Sequence, residues 1–330
     1  MNVAPTLNAP CPGSAGLPGL DGAQRWRDAR EVLICCHDAG GAEILSDWVL
    51  VETAKRYRFR LEGPALAVFR RKLGDLTGLS RAEADEILPT VDFVLTGTGW
   101  ASTLELDCLA AARAAGVYCA AYLDHWVNYA ARFEAGGLRV LPDEIWTGDA
   151  EAFALAEATF PGRAVRQQPN PYFDRIRREF AQVTPALPVD EARLLYVCEP
   201  IAIDRAAATL ARTDAGYTEF DALAYCLDRV AAIVPEGMSA RIRVRQHPSE
   251  KPGKYEPVLA RYRDRLAIEV SNGTTLLDDC RWSTDVIGCG SMAMIVALLG
   301  GRRVYSSIPL AGVSCPLPAR EIRYLRDLAA

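Results

Sequence analysis

The feature that most constrains this chain is a unit that recurs along most of its length: a short apolar run without alternation, a loop of small or charged residues, then a helical stretch. Its first copy is Val32-Leu33-Ile34-Cys35-Cys36, followed by His37-Asp38-Ala39-Gly40-Gly41 and a helix over 43–55. A strand that is apolar on both faces belongs in a parallel sheet covered by helices on both sides, because alternation marks a sheet with one wet face. Further strands are expected at 65–69, at Phe93-Val94-Leu95 before Thr96-Gly97-Thr98-Gly99, at 117–123 before Asp124-His125-Trp126, and at Ile145-Trp146-Thr147. Helices are expected over 102–115 and 149–160, the second stopped by Pro161-Gly162.

A second series follows, with strands expected at 194–198, 241–244, 266–270, 285–287 and, closing the sheet, 304–306. Its helices are expected over 220–234, 292–299 and 318–328. A chain of 330 residues is long for one hydrophobic core. The predicted fold class is therefore α/β, with two Rossmann-like doubly wound domains facing a cleft. The expected divisions are a flexible tail (1–28), an N-terminal domain (29–168), a linker (169–190) in which 170–173 and the Pro-containing 183–190 form a hinge with a charged helix at 174–180 between them, a C-terminal domain (191–310), and a C-terminal segment with a helix (311–330).

Composition excludes several classes of function. A formal charge of −5 and a pI near 5.4 give no general electrostatic reason to bind nucleic acid or an anionic membrane. The ten cysteines are scattered without a CxxC, which reads as buried thiols in a reducing cytosol and not as zinc ligands or disulfides. The first 28 residues lack the basic and apolar regions of a signal peptide. The longest apolar stretch, 292–299, falls far short of the roughly 20 residues a bilayer span needs. A cytoplasmic protein without a transmembrane segment is expected, with room for peripheral membrane association.

Open α/β sheets bind ligands beyond the carboxyl ends of their strands, where loops and helix N-termini present N–H groups. The three histidines, His37, His125 and His247, each follow a strand and are expected to face the cleft. Asp38 is a candidate general base tuned by His37, with Gly40 and Gly41 letting the backbone approach an acceptor; the plainer alternative is an Asp N-cap with a tight Gly turn. Asp124, His125, Trp126, Asn128 and Arg132 crowd one loop, a composition suited to acceptor binding and catalysis, against His125 capping a helix and Trp126 packing in an interface. Arg245, His247 and Pro248 suit a phosphate. Gly290-Ser291 opens an apolar helix whose N-terminus suits an anion, or Ser291 is a simple N-cap. Glu199 is a candidate contact for a ribose or base, and Thr96-Gly97-Thr98-Gly99-Trp100 a candidate nest of N–H groups.

Two tandem Rossmann-like series, Arg245-Gln246-His247-Pro248 after a strand, Gly290-Ser291 before a helix, and a terminal helix together resemble GT-B glycosyltransferases. Within these the chain is similar to the His-Pro-motif bacterial sialyltransferases and polysialyltransferases and to glycerophosphotransferases that use CDP-glycerol, over most of 30–330. The resemblance implies that His247 contacts the donor phosphate and that Ser291 helps hold it, with Pro248 and Gly290 matching by position. It also implies a general base in an Asp/Glu-Asp/Glu-Gly motif. Asp38-Ala39-Gly40 matches that motif only in part, because Ala39 stands at the second acidic position, so Asp124 or His125 are alternatives. UDP-N-acetylglucosamine 2-epimerases share the layout. The implied activity is that of a metal-independent, inverting glycosyltransferase of surface-polysaccharide or glycoconjugate synthesis, with a CMP-linked, sialic-acid-like donor, a glycan acceptor and no cofactor. An epimerase-like enzyme and a non-catalytic nucleotide-sugar or glycan-binding protein are the alternatives.

Overall fold

The computed structural model describes residues 22–99, 101–182, 190–201, 216–248 and 250–328. They fall into two compact units, one ending at Asp174 and the other beginning at Arg175.

In unit 1, α1 (Gly22–Asp28) precedes β1 (Glu31–Cys36), α2 (Ala39–Val51), β2 (Arg56–Leu61), α3 (Gly63–Leu73), α4 (Arg81–Ile87), β3 (Phe93–Thr96), α5 (Leu104–Ala114) and β4 (Cys119–Leu123). A small hairpin, β5 (Glu134–Ala135) with β6 (Leu138–Arg139), leads to β7 (Glu144–Thr147), α6 (Ala150–Thr159), β8 (Ala164–Gln167) and α7 (Pro171–Gln182). Among the described residues six strands form a parallel sheet in the order β2-β1-β3-β4-β7-β8. Val32, Ile34 and Cys36 of β1 face a core shared with α1, α2 and α3, while Leu33 and Cys35 face one shared with α4, α5 and α6. The unbroken apolar run thus buries both of its faces.

Three expectations in this half are corrected. Residues 65–69 lie in α3, and the strand is β2, whose sequence Arg-Tyr-Arg-Phe-Arg-Leu alternates because it is an edge strand with one charged side. The tail read as 1–28 ends in a docked helix: Trp26, 5% exposed, meets Trp48, Phe93 and Trp146 edge-on at 5.2–5.5 Å between ring centroids. Lys55 Nζ donates to the Trp26 and Ala29 carbonyls behind it, satisfying the helix end. The linker read as 169–190 is helical over Pro171–Gln182, because Phe173, Ile176 and Phe180 give it a buried stripe, and the division between units falls inside α7. Most of the expected hinge, 183–189, lies outside the described residues, as do 1–21 and Trp100.

Unit 2 continues with β9 (Glu191–Val197), α8 (Glu219–Asp228), β10 (Ser239–Arg245), α9 (Glu256–Leu259), β11 (Ala267–Val270), α10 (Leu276–Trp282), β12 (Asp285–Gly288), α11 (Met292–Leu299), β13 (Arg303–Ser306) and β14 (Arg323–Tyr324). The described strands form a parallel sheet in the order β11-β10-β9-β12-β13-β14. Its main core gathers Leu194, Tyr196, Leu223, Val244, Ile287 and Leu325. The helix read over 220–234 is α8, started by a Thr218–Asp221 capping box, followed by a 3-10 turn at Val230–Ala232. The terminal helix expected over 318–328 is absent. Arg323–Tyr324 instead add an edge strand outside β13, and Leu325–Asp327 form a 3-10 turn. Tertiary partners hold this segment in place: Leu325 is fully buried, and Arg229 donates to the Leu325 and Leu328 carbonyls.

Candidate functional site

Each sheet reverses its direction of growth once, between β1 and β3 in unit 1 and between β9 and β12 in unit 2. A crevice opens at such a point, because the flanking loops leave the carboxyl ends of the strands toward opposite faces. The residues singled out in the sequence lie on or beside the loops after β1, β3 and β4 in unit 1 and after β9, β10 and β12 in unit 2.

In unit 1 the β1–α2 loop carries His37 and Asp38. His37 Nδ1 and Asp38 Oδ1 lie 2.7 Å apart, with side chains 19% and 28% exposed. Asp38 occupies the N-cap position of α2 in an extended conformation, yet its side chain makes no cap bond. The carboxylate is thus turned to His37 and to Gly99, where an added Cβ would come within 2.8 Å of it. Gly40 and Gly41 do not form a loop; they lie in the first turn of α2. A side chain at Gly40 would collide with the Asp124 carboxylate, and one at Gly41 would press on Cys36 Sγ and the Gly97 Cα. Both glycines therefore serve close packing of α2 on the site, a different use from the ligand approach expected of them.

The loop after β4 is held from inside. Arg132, 9% exposed, donates from Nη1 to Asp124 Oδ1 at 2.8 Å, to the Thr98 carbonyl at 2.8 Å and to Thr98 Oγ1 at 3.1 Å, and from Nε to the Val127 carbonyl. It was expected to meet an acceptor, and these donors instead fix Asp124 and join the β3 and β4 loops. Trp126 Nε1 donates to both carboxylate oxygens of Asp149, the N-cap of α6. His125 Nδ1 accepts the Trp126 N–H at 3.0 Å, so a neutral His125 carries its proton on Nε2. Exposed Asn128 has φ of +57°, a left-handed turn position that Asn tolerates, and its carbonyl accepts the Arg132 N–H. A cavity of about 180 Å³ opens beside Gly99, lined by Ser102, Thr103, Leu106, Arg132 and Glu134 among others.

The sequence reading missed Glu105 in the first turn of α5. It is 2% exposed, and Oε1 accepts the His37 N–H at 2.7 Å. Burial raises its carboxyl above the usual range, and neighbouring Asp38 adds to the effect. The one local signal was an acid flanked by Leu104 and Leu106 on an otherwise apolar helix face.

In unit 2, Glu199 follows β9 and its Oε2 accepts the Gly290 N–H at 2.8 Å. The expected ribose or base contact is thus a carboxylate that ties the β9 end to the loop after β12. Gly290 is needed there, because a Cβ would meet the Pro316 ring at 2.5 Å. Ser291 is the N-cap of α11, its Oγ accepting the Ala293 N–H. The basic cluster is largely neutralised from within. Arg243 and Arg245 converge on fully buried Asp279, and Arg245 Nη1 also donates to Ser271 Oγ and the Thr274 carbonyl. Lys254 pairs with Glu219 and Glu250. Half-buried His247 is framed by Glu250, which accepts the His247 N–H on Oε2 at 3.0 Å and returns its own N–H to the His247 carbonyl. Pro248 is exposed, and Ser249 lies outside the described residues.

Among the described residues no three His, Cys, Asp or Glu side chains converge as metal ligands, and no helix is long and apolar enough to cross a membrane. The described cysteines are free thiols, all buried but half-exposed Cys315.

No protein-family model matches the sequence, and none of the curated proteins is similar to it. Solved structures do resemble it. UDP-GlcNAc 2-epimerase of Neisseria meningitidis, bound to UDP-GlcNAc, superposes with a TM-score of 0.53 at 10% identity, covering 84% of this chain and 82% of that one. A UDP-N-acetylglucosamine 2-epimerase, described as putative, of Listeria monocytogenes gives 0.55 at 14% identity, covering 86% and 80%. MurG of Acinetobacter baumannii gives 0.50 at 12%, covering 91% and 87%. At such identities the likeness is one of fold, and the fold is the two-domain, Rossmann-like GT-B layout.

Proposed function

We propose that this chain is an enzyme acting on a nucleotide-activated sugar, and specifically a metal-independent, inverting glycosyltransferase. The observation that carries the reading is the His37–Asp38 pair at the reversal point of the first sheet, its carboxylate free of the capping role that a structural Asp would take. Asp38 takes the proton from an acceptor hydroxyl as that oxygen attacks the anomeric carbon and the nucleotide departs with the electrons of the broken bond, while the His37 ring, hydrogen-bonded to Asp38, orients the carboxylate. Asp124, fixed by Arg132, is the second carboxylate within reach of the same loop. The cavity beside Gly99 is read as part of the acceptor site, with Ser102 and Thr103 supplying hydroxyls.

Unit 2 is read as the nucleotide side. With Gly290 N–H engaged by Glu199 and Arg245 by Asp279, the contacts to the departing phosphate fall to His247, Ser291 and the N-terminal end of α11. The resemblance around His247-Pro248 supports a cytidine donor, with a sialic-acid-like sugar, and the UDP ligands of the similar structures support a uridine one.

Titration with CMP, CDP, UMP and UDP, followed by assays of the matching nucleotide sugars, tests this. His247→Ala should weaken nucleotide binding by about tenfold, the worth of one charge-assisted hydrogen bond. Asp38→Asn should leave that affinity intact and lower kcat by about 100-fold or more. Absence of affinity for every nucleotide would remove the enzyme reading. Conversion of UDP-N-acetylglucosamine without an acceptor to a product inverted at C2 would establish the epimerase reading, which the epimerase structures support.

A further inference from the structure

The carboxyl of Glu105 is one of the least accommodated polar groups of unit 1. Its Oε1 accepts the His37 N–H, while Oε2 is inaccessible to solvent and has no hydrogen-bond partner. A buried oxygen without a partner is destabilising, so a helix position that could hold Leu retains an acid at a penalty. The neighbourhood is shaped to admit it. Gly97, at the end of β3, passes so close that an added Cβ would lie 2.9 Å from Cys36 Sγ and 3.5 Å from Glu105 Oε1. The first distance is too short for a side chain, so glycine lets the β3 loop pack on Cys36, and the second leaves ordinary room for the Glu105 carboxyl beside it.

We infer that Glu105 is the positioning residue of the His37–Asp38 pair, its carboxyl gripping the loop through the His37 N–H and so setting where the base stands. The inference rests on the proposed function for the identity of that base. The titratable groups facing Glu105 are His37 and Asp38 from the loop and the Cys35 and Cys36 thiols from β1, with Arg60 of β2 beyond Cys35. Two carboxyls lie in one small region: burial raises the pKa of Glu105, and the Asp38 carboxylate is hydrogen-bonded to the His37 ring. The grip needs only an acceptor oxygen, which the Glu105 carboxyl presents in either protonation state.

The test compares wild type, Glu105→Gln and Glu105→Ala in the full chain by two independent readouts. In proton–nitrogen NMR spectra the His37 amide proton should lie far downfield in wild type and should move with pH as Glu105 titrates, at a midpoint above the ordinary value of 4.5. That pH response should vanish in Glu105→Gln, and in Glu105→Ala the amide should also shift upfield and lose its protection from hydrogen exchange. In the transferase assay Glu105→Ala should lower kcat by about 100-fold, the scale of a misplaced base, with nucleotide affinity unaltered. Glu105→Gln, which keeps the acceptor oxygen, should recover most of that loss while changing the pH profile. A His37 amide that is the same in all three proteins overturns the inference, as does equal loss of kcat in Gln and Ala variants. Failure of every protein to turn over any nucleotide sugar would count against the proposed function alone, since the amide readout does not depend on turnover.

Discussion

At the scale of single residues, both candidate sites are built from side chains whose charges are answered inside the same unit. Arg132 and Asp124 have side chains only 9% and 14% exposed, so removing the cation strands a carboxylate in a poorly solvated place. Arg132→Met should destabilise unit 1 by about 3 kcal/mol, read from urea unfolding followed by tryptophan fluorescence, to which Trp282 alone contributes from unit 2. Asp279 in unit 2 yields a pH dependence of known sign. Burial would raise its carboxyl, but hydrogen bonds from Ser271, Thr274, Arg245 and Arg243 outweigh that and hold it below the ordinary value. Its folded pKa is depressed, so its contribution is present above the unfolded value of about 3.9 and is lost as pH falls through the folded pKa. The thermal midpoint of unit 2 should therefore drop on acidification below about pH 4, and Asp279→Asn should have a lower midpoint at neutral pH and a flatter acid response.

At the scale of elements, legibility followed the number of buried faces. β3, β4 and β12 are buried throughout, β1 is buried after Glu31, and all four read directly from their apolar runs. β2, an edge strand with alternating arginines, was displaced in the reading by the more apolar 65–69 of α3. The 318–328 stretch spaces its apolar residues as a helix would, yet pairing with β13 at the edge of the sheet decides its conformation. α1 was hidden because its seven residues have little helix-forming strength of their own and fold only by inserting Trp26 among Trp48, Phe93 and Trp146. Trp26→Ala should cost about 3–5 kcal/mol, and hydrogen exchange should report α1 unprotected in that variant while β1 and β3 stay protected.

At the scale of the whole molecule, two sheets with separate cores predict unfolding in two steps, since cooperativity follows the core. Scanning calorimetry should resolve two transitions. A nucleotide bound by unit 2 should raise only one of them, by about 2.7 kcal/mol at a hundredfold excess over its Kd. An equal rise in both would mean that nucleotide binding is not confined to unit 2. The two sheet orders place the loops after β1 and β9 beside the points where growth reverses, the positions at which open α/β sheets bind ligands.

The amino-acid sequence by itself determined the class of fold and the addresses of the candidate sites. Both follow from local patterns, an apolar run that needs cover on two faces and a small-residue loop that ends it, and such patterns are complete within about ten residues of chain. It also marked His37, Asp38, Asp124, His247 and Ser291 as chemistry placed at strand ends. Only the tertiary structure decided what those groups touch. Glu105 grips His37 across 68 residues and Glu199 holds Gly290 across 91, each pairing made when strands distant in sequence become neighbours in a sheet. Arg132 meets Asp124 within one loop but ties it to Thr98 across 34 residues, and Arg245 meets Asp279 across 34. A buried charge takes the nearest complementary group that the folded chain supplies, and that neighbour is set by topology and not by the residues beside it in sequence.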